Sequence, residues 1–199
     1  MIDNTHSDEA YLDGAYLEGG FGDPAREAAR AFRAALDAMA RPGTLTKMSG
    51  VAAPSPCSQA AAALLLTLCD DTTPIFLAPS HDNDALRGWI TFHTRAPMVG
   101  PSHAMFALGT WDALQPVGQF QIGTPEYPDR SATLIVERDA LSTVGATLRG
   151  PGIQDKAALS LPETAAFQKN RRKFPLGFDC YFTCGDQLAG LPRSTIVED

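Results

Sequence analysis

The amino-acid sequence predicts one α/β domain with a mixed sheet, and three observations carry that expectation. Its 199 residues are 44% hydrophobic, the size and apolar content of a chain that buries one core. Two strongly signalled helices are followed by short apolar runs bounded by turn residues, with further helical patterns among them, so helices and strands are interspersed. Gly185-Asp186 joins two strand-like runs directly, which calls for at least one antiparallel hairpin.

Taken in order, residues 1–22 form an acidic, Gly-containing head expected to be a flexible or loosely docked arm, with a single domain at 23–199. The first helix starts at Asp23-Pro24, where Asp caps free N–H groups and Pro suits the first helical position, and stops at Pro42-Gly43. Ala25, Ala28, Ala29, Phe32, Ala35, Leu36 and Met39 recur at helical spacing and are expected to face the core. Arg26, Arg30 and Asp37 then lie in water, with Arg33 beside the buried stripe. The second helix is signalled by Ser55-Pro56 and runs to about Cys69 with almost no polar face, so it is expected to be central and buried. Strands are expected near 74–78, 90–93, 104–108, 132–137, 144–148, 181–184 and 187–191, and helical segments near 83–89 and 162–171.

Composition narrows the function classes. Sixteen basic against 23 acidic residues give a net charge of −7, and no basic block gathers on the chain, which disfavours nucleic acid and anionic membrane as partners. Five of the acids lie in residues 1–22, which contain no Lys or Arg, so residues 23–199 are nearly neutral. That opening stretch also lacks the pattern of a secretory signal, and the expected location is the cytoplasm. The longest apolar run, residues 60–66, is far shorter than the roughly 20 residues that cross a bilayer. Cys57, Cys69, Cys180 and Cys184 are expected to be thiols, and their spacing completes no zinc or iron-sulfur set, so no metal is expected.

Phosphate-loop, dinucleotide, metalloprotease-helix and serine-elbow signatures are absent, and none of the four lysines stands out as a Schiff-base candidate. Three Gly- and Pro-stiffened loops remain: residues 123–131, 148–152 and 191–195. Each places an arginine beside an expected strand, and the guanidinium fork suits phosphate or carboxylate. Arg130, Arg149 and Arg193 therefore make an anion pocket if the loops converge; otherwise each pairs with a nearby acid such as Asp129, Glu137 or Glu198, or lies in water. His93 is placed where a strand ends, as an acid, a base, a ligand donor or a structural histidine. Asp70, at the C-terminal end of the second helix, is read as a turn former or a contact to another protein chain. Asp179 is read as an acid that holds a loop by accepting from backbone N–H groups.

The ordered set Phe32-Arg33, Met39-Ala-Arg-Pro-Gly43, Leu66-Thr-Leu-Cys-Asp70, Phe92-His-Thr94, Ala132-Thr-Leu-Ile135, Gly150-Pro-Gly-Ile153, Phe174-Pro-Leu-Gly-Phe-Asp179, Thr183-Cys-Gly185 and Leu191-Pro-Arg-Ser-Thr195 resembles the PhnH family, whose members belong to the bacterial phosphonate carbon-phosphorus lyase core complex. The resemblance covers residue 24 to the end. It implies a three-layer α/β/α fold like that of pyridoxal-phosphate transferases but without the cofactor lysine, and no cofactor. It also implies a non-catalytic or assisting subunit, with no catalytic residue of its own, that helps form α-D-ribose 1-methylphosphonate 5-triphosphate from ATP and methylphosphonate. Its implied companions are the C-P lyase subunits G, I and J with accessory K and L, and it implies a homodimer when alone. An anion pocket implied near the dimer interface falls on Arg193, Thr195, Arg33 and His93, with Arg130 and Arg149 placed only by local spacing. The rival reading is a stand-alone binder or enzyme acting on a small phosphorylated or anionic ligand.

Overall fold

The computed structural model describes residues 18–199. Helix α1 (Pro24–Ala40) begins where Asp23 accepts from the Arg26 N–H, and α2 (Gln59–Leu68) begins where Ser58 Oγ accepts from the Ala61 N–H at 3.2 Å. Between them lies the two-residue strand β1 (Thr46–Lys47). Then follow β2 (Ile75–Leu77), α3 (Asp84–Thr94), β3 (Phe106–Thr110), β4 (Thr133–Glu137), β5 (Ala146–Arg149), β6 (Ala157–Leu159), α4 (Ala165–Arg171), β7 (Asp179–Cys184), β8 (Gln187–Leu191) and β9 (Ile196–Glu198).

Six strands form the central sheet in the order β1-β8-β7-β4-β3-β2. Strands β2, β3, β4 and β7 run parallel to one another, while β8 returns antiparallel to β7 through the Gly185-Asp186 turn and β1 pairs antiparallel with β8. The expected mixed sheet is present. Its strands are buried on both sides: Ile75, Leu108, Ile135, Tyr181 and Leu188 point to α1, α2 and α3, and Leu134, Val136, Cys180, Phe182 and Leu191 point to the opposite layer. That opposite layer holds one seven-residue helix, α4, and a second antiparallel sheet in the order β6-β5-β9. It therefore differs from an all-helical outer layer.

Two expectations fail for reasons of packing. Residues 90–93, read as a strand, are the last turns of α3. Asn83 Oδ1 caps the helix by accepting from the Leu86 N–H at 2.9 Å, and Leu86, Trp89 and Ile90 form its buried stripe until Arg95 closes it at φ 58°. On α1, the buried residues are Ala31, Ala35 and Ala38, whereas Phe32 and Leu36 are about half exposed (48% and 54%) and Ala25 and Ala29 are exposed. Helix α1 lies so close to β8 that a Cβ built on Gly190 would stand 2.5 Å from the Ala38 carbonyl oxygen. Only alanines fit that approach, so the larger apolar residues turn outward.

Helix α2 is buried as expected, and the end of the acidic head helps enclose it. The Trp89 indole donates to the Glu18 carbonyl at 3.0 Å, Ala52 N donates to the Gly19 carbonyl at 2.9 Å, and Phe21 packs on the core beside Leu66 of α2. Residues 18–21 are thus docked; the rest of the expected arm, residues 1–17, lies outside the described residues. No described helix is long and apolar enough to cross a membrane.

Candidate functional site

The three stiffened loops do meet, but as a structural joint. Gly123, at φ +80°, lets the first loop turn back on Pro128, and Thr124 and Tyr127 exchange backbone hydrogen bonds at 3.1 Å. From the third loop Arg193 Nη1 donates to the Pro128 carbonyl at 2.7 Å. Its Nε lies 3.1 and 3.2 Å from the two carboxylate oxygens of Asp179, Nη2 donates to Asp179 Oδ2, and its backbone N–H donates to Asp179 Oδ1 at 2.7 Å. Gly150, in the second loop, approaches the backbone of Ser194 and Thr195. Arg193 thereby ties the start of β7, the end of β8 and the loop entering β4 together. The holding role read for Asp179 is the one its geometry supports, although the partner acid of Arg193 is Asp179 rather than Asp129, Glu137 or Glu198.

The other candidates are dispersed. Arg149 ends β5 with Nε 3.4 Å from Glu198 Oε2 and Nη1 3.2 Å from the Asp155 carbonyl, so one of the acids named for the arginines in the sequence does serve. Arg130 lies with its guanidinium carbon 4.1 Å from the Tyr127 ring centroid. Thr195 is buried with its hydroxyl oxygen unpartnered. Arg33 is exposed on α1. His93 sits in the last turn of α3, not at a strand end, against the rings of Trp89 and Phe92 and with Nε2 3.4 Å from the Glu18 carbonyl. Arg33 and His93 belong to the helical layer, while Arg149 ends β5 of the second sheet and Thr195 directly precedes β9, so within a single chain the six residues are dispersed. Asp70 forms the turn: its Oδ1 accepts from Thr72 Oγ1 at 2.7 Å, Thr73 Oγ1 at 2.8 Å and Thr72 N at 2.9 Å, and the Thr72 hydroxyl leads in holding its carboxyl below the usual range.

At the carboxyl ends of the parallel strands, sequence reasoning read Glu137 only as a possible partner acid for an arginine and passed over His81. Glu137, the last residue of β4, accepts from the Ser58 N–H at the start of α2 at 2.6 Å and from Thr183 Oγ1 of β7 at 2.9 Å. Burial pushes its carboxyl up against the pull of those two donors. Nearby, His81 is buried with Nδ1 2.9 Å from Ser80 Oγ, and desolvation lowers its pKa. Asn170 was also missed: it clamps Phe178 by accepting from its N–H at 3.0 Å and donating to its carbonyl at 2.8 Å. The available signal was an acid closing an apolar run, Leu134-Ile-Val-Glu137, a place where parallel sheets collect functional groups. Among the described residues the four cysteines are free thiols, Cys57, Cys69 and Cys180 pushed up by burial, and no cluster of three metal-binding side chains forms. All four lysines are exposed.

Residues 19–198 match the family described as "Bacterial phosphonate metabolism protein (PhnH)". The chain belongs to the PhnH family. It is also 39% identical over 191 residues, covering 90% of this chain and 94% of the relative, to the Rhizobium meliloti (strain 1021) protein named alpha-D-ribose 1-methylphosphonate 5-triphosphate synthase subunit PhnH. The family match begins at Gly19, inside the docked segment that encloses α2, and runs through β9, so it spans the sheet, the helical layer and the Arg193 joint together.

Proposed function

We propose that this PhnH-family chain is an assisting subunit of the carbon-phosphorus lyase core complex in phosphonate catabolism, without a catalytic centre of its own. In this reading it helps form α-D-ribose 1-methylphosphonate 5-triphosphate from ATP and methylphosphonate, in the cytoplasm. The observation that carries the reading is the 39% identity, across nearly the whole of both chains, to a protein named as a subunit of that synthase. The engagement of Arg193 by Asp179 supports an assisting role, because that largely buried guanidinium is not left uncommitted for a reacting phosphate. Phe32 and Leu36 on α1 and Phe92 on α3 are each about half exposed or more (48%, 54% and 54%), which suits the helical layer to contact with companion chains. The companions in this reading are the C-P lyase subunits G, I and J with accessory K and L, and the isolated chain pairs with itself. The three-layer likeness to pyridoxal-phosphate transferases belongs to the same reading, and the exposure of every lysine supports the absence of a cofactor linkage.

Reconstitution tests it. The purified complex is assembled with and without this chain, and conversion of ATP and methylphosphonate is followed by phosphorus NMR. Omission is expected to abolish or sharply reduce turnover. Full turnover without the chain, or turnover by the chain alone, refutes the proposal.

A further inference from the structure

The run Lys169-Asn-Arg-Arg-Lys173 closes α4 and puts four cations within five residues of a chain whose net charge is −7. The fold adds a fifth. Phe174, next after the run, faces Pro128 and Asp129 of the loop entering β4 across a crevice of about 320 Å³ that Pro175 and Pro192 also line. Tyr127 and Arg130 flank Pro128-Asp129 in the chain, so Arg130 stands by one wall of the crevice and the basic run by the other. Lys169 and Lys173, one helical turn apart, line a second crevice of about 420 Å³ together with Pro116, Val117 and Phe178.

These cations are not committed to acids. Among the described residues, Arg130, Lys169, Arg171, Arg172 and Lys173 make no side-chain ion pair, and Arg171 Nε has no hydrogen-bond partner. Of the acids in the two linings, Asp179 is taken up by Arg193 and Glu163 accepts from the Trp111 indole, which leaves Asp129, with Glu126 beside it in the same loop. The carboxyl end of a helix carries about half a negative charge, so the run exceeds what α4 itself needs. Two guanidiniums are also held in place: the guanidinium carbon of Arg130 lies 4.1 Å from the Tyr127 ring centroid and that of Arg171 4.8 Å from the Phe174 centroid. A guanidinium stacked on a ring keeps its in-plane N–H donors for a carboxylate and has less freedom to lose when one arrives. Tyr127 and Phe174 are each half exposed, and aromatics beside arginine are the side chains that anchor protein interfaces.

Charge and shape together select the occupant. A nucleic acid or an anionic bilayer is repelled by the acidic remainder of the chain. A small anion is not enclosed, because the cations are spread over two crevices rather than gathered round one. A polypeptide meets both features: its carboxylates reach the cations, and apolar side chains between them enter the crevices. We propose that the end of α4 and the Tyr127–Arg130 loop form a docking surface for an acidic segment of another protein chain, with large apolar side chains set between its carboxylates. This surface lies in the layer opposite Phe32, Leu36 and Phe92, and its test makes no use of the phosphonate reaction.

The test uses the full chain, purified alone, and a fluorescein-labelled peptide Glu-Asp-Phe-Glu-Asp-Leu-Glu read by fluorescence anisotropy at low salt. Saturable binding is expected, about tenfold weaker for the peptide with Gln and Asn in place of its acids and for the combined variant Lys169→Glu, Arg172→Glu, Lys173→Glu, the scale of several exposed ion pairs. Phe174→Ala keeps every charge and is expected to weaken binding about fivefold, the loss of one half-exposed aromatic anchor. All four substituted side chains are exposed, so the variants keep the wild-type melting temperature, which is measured alongside. Absence of saturable binding, equal binding of the uncharged peptide, or binding unchanged in either variant overturns the proposal. So does tighter binding of a single-stranded oligonucleotide or of phosphatidylserine vesicles than of the acidic peptide.

Discussion

Replacing Arg193 by alanine separates a structural arginine from a ligand-binding one. The substitution removes the fork that grips Asp179 and the 2.7 Å hydrogen bond to the Pro128 carbonyl, leaving Asp179 with only the backbone N–H of residue 193. The paired side chains are 14% and 21% exposed, so the orphaned carboxylate loses most of its compensation while staying largely out of water. Breaking a fully buried pair costs about 3–5 kcal/mol, and the residual water access here brings the expectation to about 2–3 kcal/mol. In a domain of this size each kcal/mol moves the midpoint by about 2–4 °C, so Arg193→Ala is expected to melt about 4–12 °C below wild type in a circular-dichroism scan. Arg193→Lys keeps the charge but not the fork and is expected to fall between the two. A melting point within about 2 °C of wild type for Arg193→Ala would refute the joint and return Arg193 to the anion pocket expected from the sequence.

Glu137→Gln probes the carboxyl ends of the strands. Because burial raises the Glu137 pKa above its unfolded value, its favourable contribution is present at pH below the unfolded value and is lost as pH rises through the folded one. Gln can still accept from Ser58 and meet Thr183, so the variant is expected to match or exceed wild-type stability at pH 8 and to lose that advantage towards pH 5; thermal melts across this range check it, and a variant several degrees less stable at pH 8 contradicts the assignment. Gly190→Ala places a methyl 2.5 Å from the Ala38 carbonyl and must push α1 off β8, at a cost of about 3 kcal/mol or more, read as a shift in the urea midpoint; an unchanged midpoint would show that α1 has room to move.

Much of the fold was legible because local chemistry and global packing agree over most of the chain. Asp23-Pro24 starts α1, the unbroken apolar run of α2 is buried, and Gly185-Asp186 makes the hairpin. The misread positions are those where a distant partner decides. Phe32 and Leu36 outrank alanine on any hydrophobic scale, yet the buried face of α1 is Ala31, Ala35 and Ala38, the last of them where the helix backbone closes on Gly190. Ile90-Thr-Phe-His93 has strand composition, but the cap at Asn83 and the spacing of Leu86, Trp89 and Ile90 commit it to α3. Strands β6 and β9 are three residues each and gain their meaning only by pairing with β5. At the candidate site, sequence spacing marked the three arginine loops and Asp179, but it could not reveal that Asp179 and Arg193 satisfy one another. Nor could it weigh Glu137, whose importance depends on Ser58 and Thr183 arriving from separate elements.

The central sheet ends in β1, two residues long, on one side and β2, three residues long, on the other. Such stubs offer almost no free peptide ladder for a foreign strand to continue. A neighbour that meets the central sheet at these two ends therefore reads side chains more than main-chain pairing, and its selectivity there is open to retuning one substitution at a time without touching the scaffold.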